Sequence, residues 1–296
     1  MPAPSAEAVS CKNPLATPLS RFWELESASD CGTFGLRGYK PISLSVIGAD
    51  SVNTTPTSPA AGHTGTFQPY TTSETRIQLS VRTKIAQGLL TGGDPNRLDS
   101  LWFSYSQQSY WQLFNPDLSR PFRATDHEPE FTYIFPLATA LPSGWRLRFA
   151  GLSLNHQSNG QSLPLSRSWN RIIGRAGMEL GNTFAVNASL WQRIPESTDS
   201  DDNPDIADMV GRAELAAAWN MDNRNSLTAV WRHSLKAEGN GSIRLGWLRK
   251  IGSGAANDNR NSLRFHTELF SGYGDTLMDY NHRRTILSVG LTLLDW

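Results

Sequence analysis

Residues 155–170, NHQSNGQSLPLSRSWN, contain a histidine and a serine two positions apart and an asparagine twelve positions beyond the serine. Residues two apart share one face of a β-strand, so His156 and Ser158 would project the same way. Turn-forming residues lie between them and Asn170, from Asn159-Gly160 through Leu163-Pro164. A reversal near Leu163-Pro164 would set Asn170 opposite His156 on a returning strand. That arrangement supplies a nucleophile, Ser158, a base, His156, and a residue that orients the base, Asn170. The same residues also read as a plain polar hairpin loop, where all three types are ordinary.

The elements that must hold these side chains are strands. In residues 75–85, Ile77, Leu79, Val81, Thr83 and Ile85 alternate with Arg76, Gln78, Ser80, Arg82 and Lys84. This is period-two patterning with charge on the polar side. It recurs at 227–232, 243–248, 263–269 and 287–293, and less sharply at 39–47, 101–111, 130–138, 145–158, 168–180, 183–193 and 209–219. Roughly twelve segments of about ten residues result, the length of a tilted transmembrane strand. Turn clusters separate them, among them 92–95, 181–182, 221–223, 239–241 and 254–259. The best helical candidate, AELAAAW at 213–219, is too short to stand alone. Residues 51–72 read as a loop rich in Thr, Ser, Pro and Gly.

Composition points the same way. Of 296 residues, only 39% are hydrophobic, yet ten are tryptophan. Little core with much tryptophan suits side chains placed at membrane interfaces. Lys plus Arg and Asp plus Glu both number 27, which gives no sign of nucleic acid as a partner. No run is apolar enough for a spanning helix. MPAPSAEAVSC shows no secretory signal, so any export signal would have been removed or lie upstream. Cys11 and Cys31 could pair in an oxidising compartment or be unrelated thiols. A soluble sandwich would bury the apolar faces on shorter strands. Strand length and tryptophan content favour a twelve-stranded antiparallel transmembrane β-barrel, with residues 1–38 as an N-terminal extension and 39–296 as the barrel. A last strand closing on Trp296 is out of phase with 287–293 and would require a bulge near Leu294 or a different ending.

Strand phase then locates the candidate triad. Asn170 shares its face with Ile172, Gly174, Ala176, Met178 and Leu180, and His156 with Leu152 and Leu154. Trp145, Leu147 and Phe149 fall on the other phase, so a bulge is expected near Ala150-Gly151. The triad would therefore point with the apolar residues, towards lipid, near a strand end. Polar groups on a lipid face are costly, which suggests function and a lipid substrate.

With these residues in view, the sequence resembles outer membrane phospholipase A of Gram-negative bacteria. The resemblance rests on NHQSNG…SRSWNR (155–171), SYSQQSYWQL (104–113), PFR (121–123), DDNPDI (201–206) and SGYGDTLMDYN (271–281). It implies a barrel in the outer membrane that hydrolyses sn-1 and sn-2 acyl esters of glycerophospholipids and lysophospholipids through an acyl-enzyme. Ser158 would be nucleophile, His156 base and acid, Asn170 the orienting residue and Gly160 an oxyanion donor. It further implies calcium bound in a homodimer by Ser119 of one subunit and Gln161 and Ser166 of the other. Asp202 matches the position linked to calcium in the monomer, and Gln107 a dimer-interface glutamine. Position 161, where the family often has arginine, departs from the pattern; a carbonyl there would still suit calcium. Without the resemblance, Asp199, Asp201, Asp202 and Asp205 read as a solvated turn, and Gln107 as a lumen residue. His127, His233, His266 and His282 read as lumen or loop histidines. A passive barrel with an incidental triad, or a soluble hydrolase, are the competing functional readings.

Overall fold

Alternation of apolar and polar side chains closes this chain on itself. In the computed structural model, residues 16–252 and 263–293 are described. Thirteen strands form one antiparallel sheet: β1 (Leu36–Gly38), β2 (Ile42–Ala49), β3 (Ser73–Gln87), β4 (Ser100–Trp111), β5 (Ala124–Ala140), β6 (Arg146–Ser158), β7 (Ser168–Leu180), β8 (Phe184–Arg193), β9 (Ala213–Asn220), β10 (Asn225–His233), β11 (Gly241–Lys250), β12 (Leu263–Gly272) and β13 (Arg284–Leu293). Strand β13 pairs with β2, which pairs with β3 and so closes the barrel. Strand β1 lies on the same edge of β3 as β2. The two are one wall strand interrupted around Pro41, which has no N–H for the ladder. The wall therefore has twelve staves, as the period-two count requires.

The apolar faces point outward. On β13, Leu287, Val289, Leu291 and Leu293 are exposed while Ile286, Ser288 and Thr292 are buried. On β3, Arg76, Ser80, Arg82 and Lys84 are buried and Leu79 is exposed. An outward apolar band around a polar interior is the inverse of a soluble barrel and matches a membrane barrel. Residues 213–219, within the expected strand segment 209–219 and also the best helical candidate, are strand β9. Leu215, Ala217 and Trp219 face outward, and Ala216 and Ala218 leave room inside. The bulge in β6 falls between Leu147 and Phe149, not at Ala150-Gly151. Phe149 is thereby turned into the barrel, where it packs on Trp23 with ring centroids 5.7 Å apart. Trp296 and the 254–259 turn lie outside the described residues.

Both ends of the lumen are filled. At one end residues 18–25 enter the barrel. A short helix, α1 (Pro18–Trp23), packs Leu19 and Trp23 with Leu25, Tyr39, Trp102, Ile134 and Phe149. Leu19 N–H donates to Glu179 at 2.9 Å, Lys84 Nζ lies 2.6 Å from both Glu24 and Asp30, and Cys31 is disulfide-bonded. Cys11 lies outside the described residues. At the other end the 194–212 loop carries a turn of helix, α2 (Ile206–Met209), against Trp169, Ile173, Trp191, Leu277 and Tyr280. A cavity of about 540 Å³ remains between.

Candidate functional site

The hairpin β6–β7 forms in the expected register. His156 is paired with Asn170 and Ser158 with Ser168, so the reversal is centred on residue 163. The connecting loop is tied by Asn159, whose side chain donates to the Leu165 carbonyl at 2.7 Å and accepts from Arg167 N–H at 3.0 Å. Gly160 follows with φ +62°, a conformation that disfavours a side chain even though a Cβ there would meet nothing closer than 3.7 Å.

On the outer face, His156 Nδ1 lies 2.8 Å from Asn170 Oδ1. Ser158 projects on the same side two residues on, the face that also carries exposed Leu152 and Leu154. Among the described residues no hydrogen bond joins Ser158 and His156. Such contacts often tighten only when substrate is bound. Asn170 Nδ2 donates to Glu196 Oε1 at 3.2 Å. Glu196 stands just past β8, where Ile194 N–H still pairs with the Asn170 carbonyl at 2.8 Å and Pro195 then ends the ladder. Burial raises its carboxyl above the usual range, against the opposing charge of Arg193.

The residues expected to hold calcium divide into two groups. Ser166 Oγ donates to Asp202 Oδ2 at 2.6 Å, which brings loop 159–167 against the acidic loop. The other Asp202 oxygen is 3.0 Å from His63 Nε2, and Ser58 Oγ donates to the Asp202 carbonyl at 2.6 Å. Gln161 is exposed, with its N–H 3.3 Å from Asn159 Oδ1. Ser119 sits apart on the β4–β5 loop, where its carbonyl accepts from Trp111 Nε1 at 2.6 Å. The nearby donors Ser166 and Asp202 offer oxygen alone, the chemistry a hard cation prefers. No cluster of three or more His, Cys, Asp or Glu side chains with metal-holding geometry occurs among the described residues.

Two outer-face residues complete the picture. Gln107 is paired with Leu79, which is exposed, so it faces outward and not into the lumen. His127 is the pairing partner of both Gln107 and Ser158, so it stands beside the serine and is neither a lumen nor a loop histidine. Tyr105 OH is 2.6 Å from its Nδ1, and the ring edge lies 3.7 Å from where a Gly160 Cβ would be. Metal spacing could not reveal it. Cross-strand pairing could have, once the register of β5 was known. The remaining histidines fit their bland readings: His266 is buried in the lumen, His282 contacts Ser51, and His233 ends β10.

The chain is similar to phospholipases in both sequence and fold. The sequence model described as phospholipase A1 matches residues 19–293. A putative phospholipase A1 of Neisseria meningitidis is 37% identical over 95% of this chain and 71% of its own length. Phospholipase A1 of Escherichia coli is 35% identical over 75% of this chain and 70% of its own. The solved outer membrane phospholipase A from Escherichia coli superposes with a TM-score of 0.75 at 32% identity, covering 88% of this chain and 99% of that one. The Salmonella typhi outer membrane phospholipase, a dimer with bound calcium, also gives 0.75, at 30% identity over 90% and 94%.

Proposed function

The chain belongs to the phospholipase A1 family of outer-membrane β-barrels, and we propose that it is a calcium-dependent enzyme acting as a homodimer. Its substrates are the sn-1 and sn-2 acyl esters of glycerophospholipids and lysophospholipids. The observation that carries this reading is the His156–Asn170 hydrogen bond on the lipid-facing side of the wall, with Ser158 beside it. A purely structural polar pair would be cheaper inside the lumen.

In the reaction, Ser158 Oγ attacks the ester carbonyl while His156 Nε2 takes its proton. Asn170 Oδ1 accepts from His156 Nδ1–H and so fixes the tautomer in which Nε2 is the base. The Gly160 N–H is the donor to the developing oxyanion. His156 returns the proton to the departing lysolipid oxygen, leaving an acyl ester on Ser158. Water, deprotonated by His156, then releases the fatty acid and restores the serine. Calcium, when bound, would add positive charge near the oxyanion. Ser166 and Asp202, with Gln161 through its carbonyl and Ser119 of a second copy, are the residues to hold it. Gln107, outward on β4, suits a contact between copies. The filled lumen ends argue against a conducting pore.

The test is release of fatty acid from phospholipid micelles by detergent-refolded protein, with calcium and with chelator. Hydrolysis only with calcium supports the reading. Conductance in planar bilayers without hydrolysis would overturn it.

A further inference from the structure

Asparagine in place of an acidic triad member leaves the imidazolium without a counter-charge, and Glu196 stands where that charge is missing. We infer that Glu196 is the fourth member of the chain Ser158, His156, Asn170, Glu196, a positioning residue that acts on the histidine through the Asn170 amide. The inference rests on the triad assignment proposed above.

The argument is one of donors and acceptors. An ionised carboxylate only accepts, so Glu196 Oε1 at 3.2 Å requires Asn170 to turn its Nδ2 towards it. Asn170 Oδ1 must then face His156, where it lies 2.8 Å from Nδ1. Nδ1 must carry the proton, which leaves Nε2 free as the base. Without Glu196, the Asn170 amide could flip and offer an N–H to the histidine, favouring the wrong tautomer.

The surroundings make the choice of partner informative. Arg193 lies close enough to oppose the rise in the Glu196 pKa, and Asp201 and Asp202 add like charge. Yet Arg193 is engaged by Asp201 at 2.5 Å, and among the described residues Glu196 forms no ion pair. Its one hydrogen bond there is to the neutral Asn170 amide. Glu196 continues the outward phase of exposed Leu190 and Ile194 just beyond the end of β8, where it is half-buried.

The test uses the refolded full chain, with wild type and Ser158→Ala as references. Glu196→Ala should lower kcat about tenfold, and Glu196→Gln, which can still accept from Asn170, about threefold, both with KM little changed. Asn170→Asp should suffer from carboxylate repulsion with Glu196, and the double variant Asn170→Asp/Glu196→Gln should be more active than Asn170→Asp. A merely structural loop residue would not show that rescue. Unchanged kcat in Glu196→Ala, or a double variant no better than Asn170→Asp, overturns the inference while leaving the phospholipase reading intact. An inactive wild type, by contrast, removes the reading on which it rests.

Discussion

The wall of this barrel separates two polar clusters of opposite character. Inside, near the site end, Arg123 contacts Glu74 at 2.6 Å and Asp279 at 2.9 Å, and Arg284 contacts Asp275 at 2.8 Å. All five side chains are buried, and their charges answer one another. Outside, the three candidate catalytic groups are half-buried, a 2.8 Å bond joins His156 to Asn170, and Ser158 keeps its hydroxyl uncommitted among the described residues. The lumen charges are spent mainly on one another, in ion pairs sealed from the lipid surface. The outer groups are left with a free hydroxyl and a free ring nitrogen, at the surface where lipid arrives. The difference teaches that charge density does not mark the site here; unspent hydrogen-bonding capacity on a lipid face does.

That contrast can be tested from both sides. Ser158→Ala should reduce phospholipid hydrolysis by at least about 10³-fold, with the barrel still resisting unfolding; retained turnover by fatty-acid titration would place the chemistry elsewhere. Arg123→Ala should do the reverse. Leaving Glu74 and Asp279 buried beside a lost partner costs about 3–5 kcal/mol, read from denaturant unfolding, with activity per folded molecule unchanged. Loss of turnover without loss of stability in that variant would dissolve the division between the two sides. The smallest effect is expected at the boundary of the site. His127→Phe keeps the apolar bulk beside Gly160 but removes the ring nitrogens, and should lower kcat/KM about three- to tenfold. Full activity there would mean that His127 only fills space.

Much of this was legible before folding. Period-two alternation in 75–85 and 287–293 required strands with one apolar face, and their number required closure. The symmetric placement of His156 and Asn170 about residue 163 made their pairing a matter of register. Other features were not legible, for identifiable reasons. The alanine run 213–219 allowed both a strand segment and a short helix, and pairing on both sides within the barrel decides for the strand. The bulge at Arg148 moved by a few residues because many positions allow the same change of phase. Residues 18–25 show no periodicity, yet Trp23 and Leu25 are buried because the lumen offers aromatic partners.

The sequence by itself determined which faces are apolar, that the sheet must close, and that His156, Ser158 and Asn170 share the lipid side, because all of these follow from a side-chain period of two along one hairpin. The tertiary structure alone decided which distant segments arrive beside them. Glu196 reaches Asn170 from beyond β8, His127 faces Ser158 from the neighbouring strand β5, and Asp202 reaches Ser166 from the acidic loop. Those meetings depend on strand order and loop folding between separate strands, which local pattern does not encode.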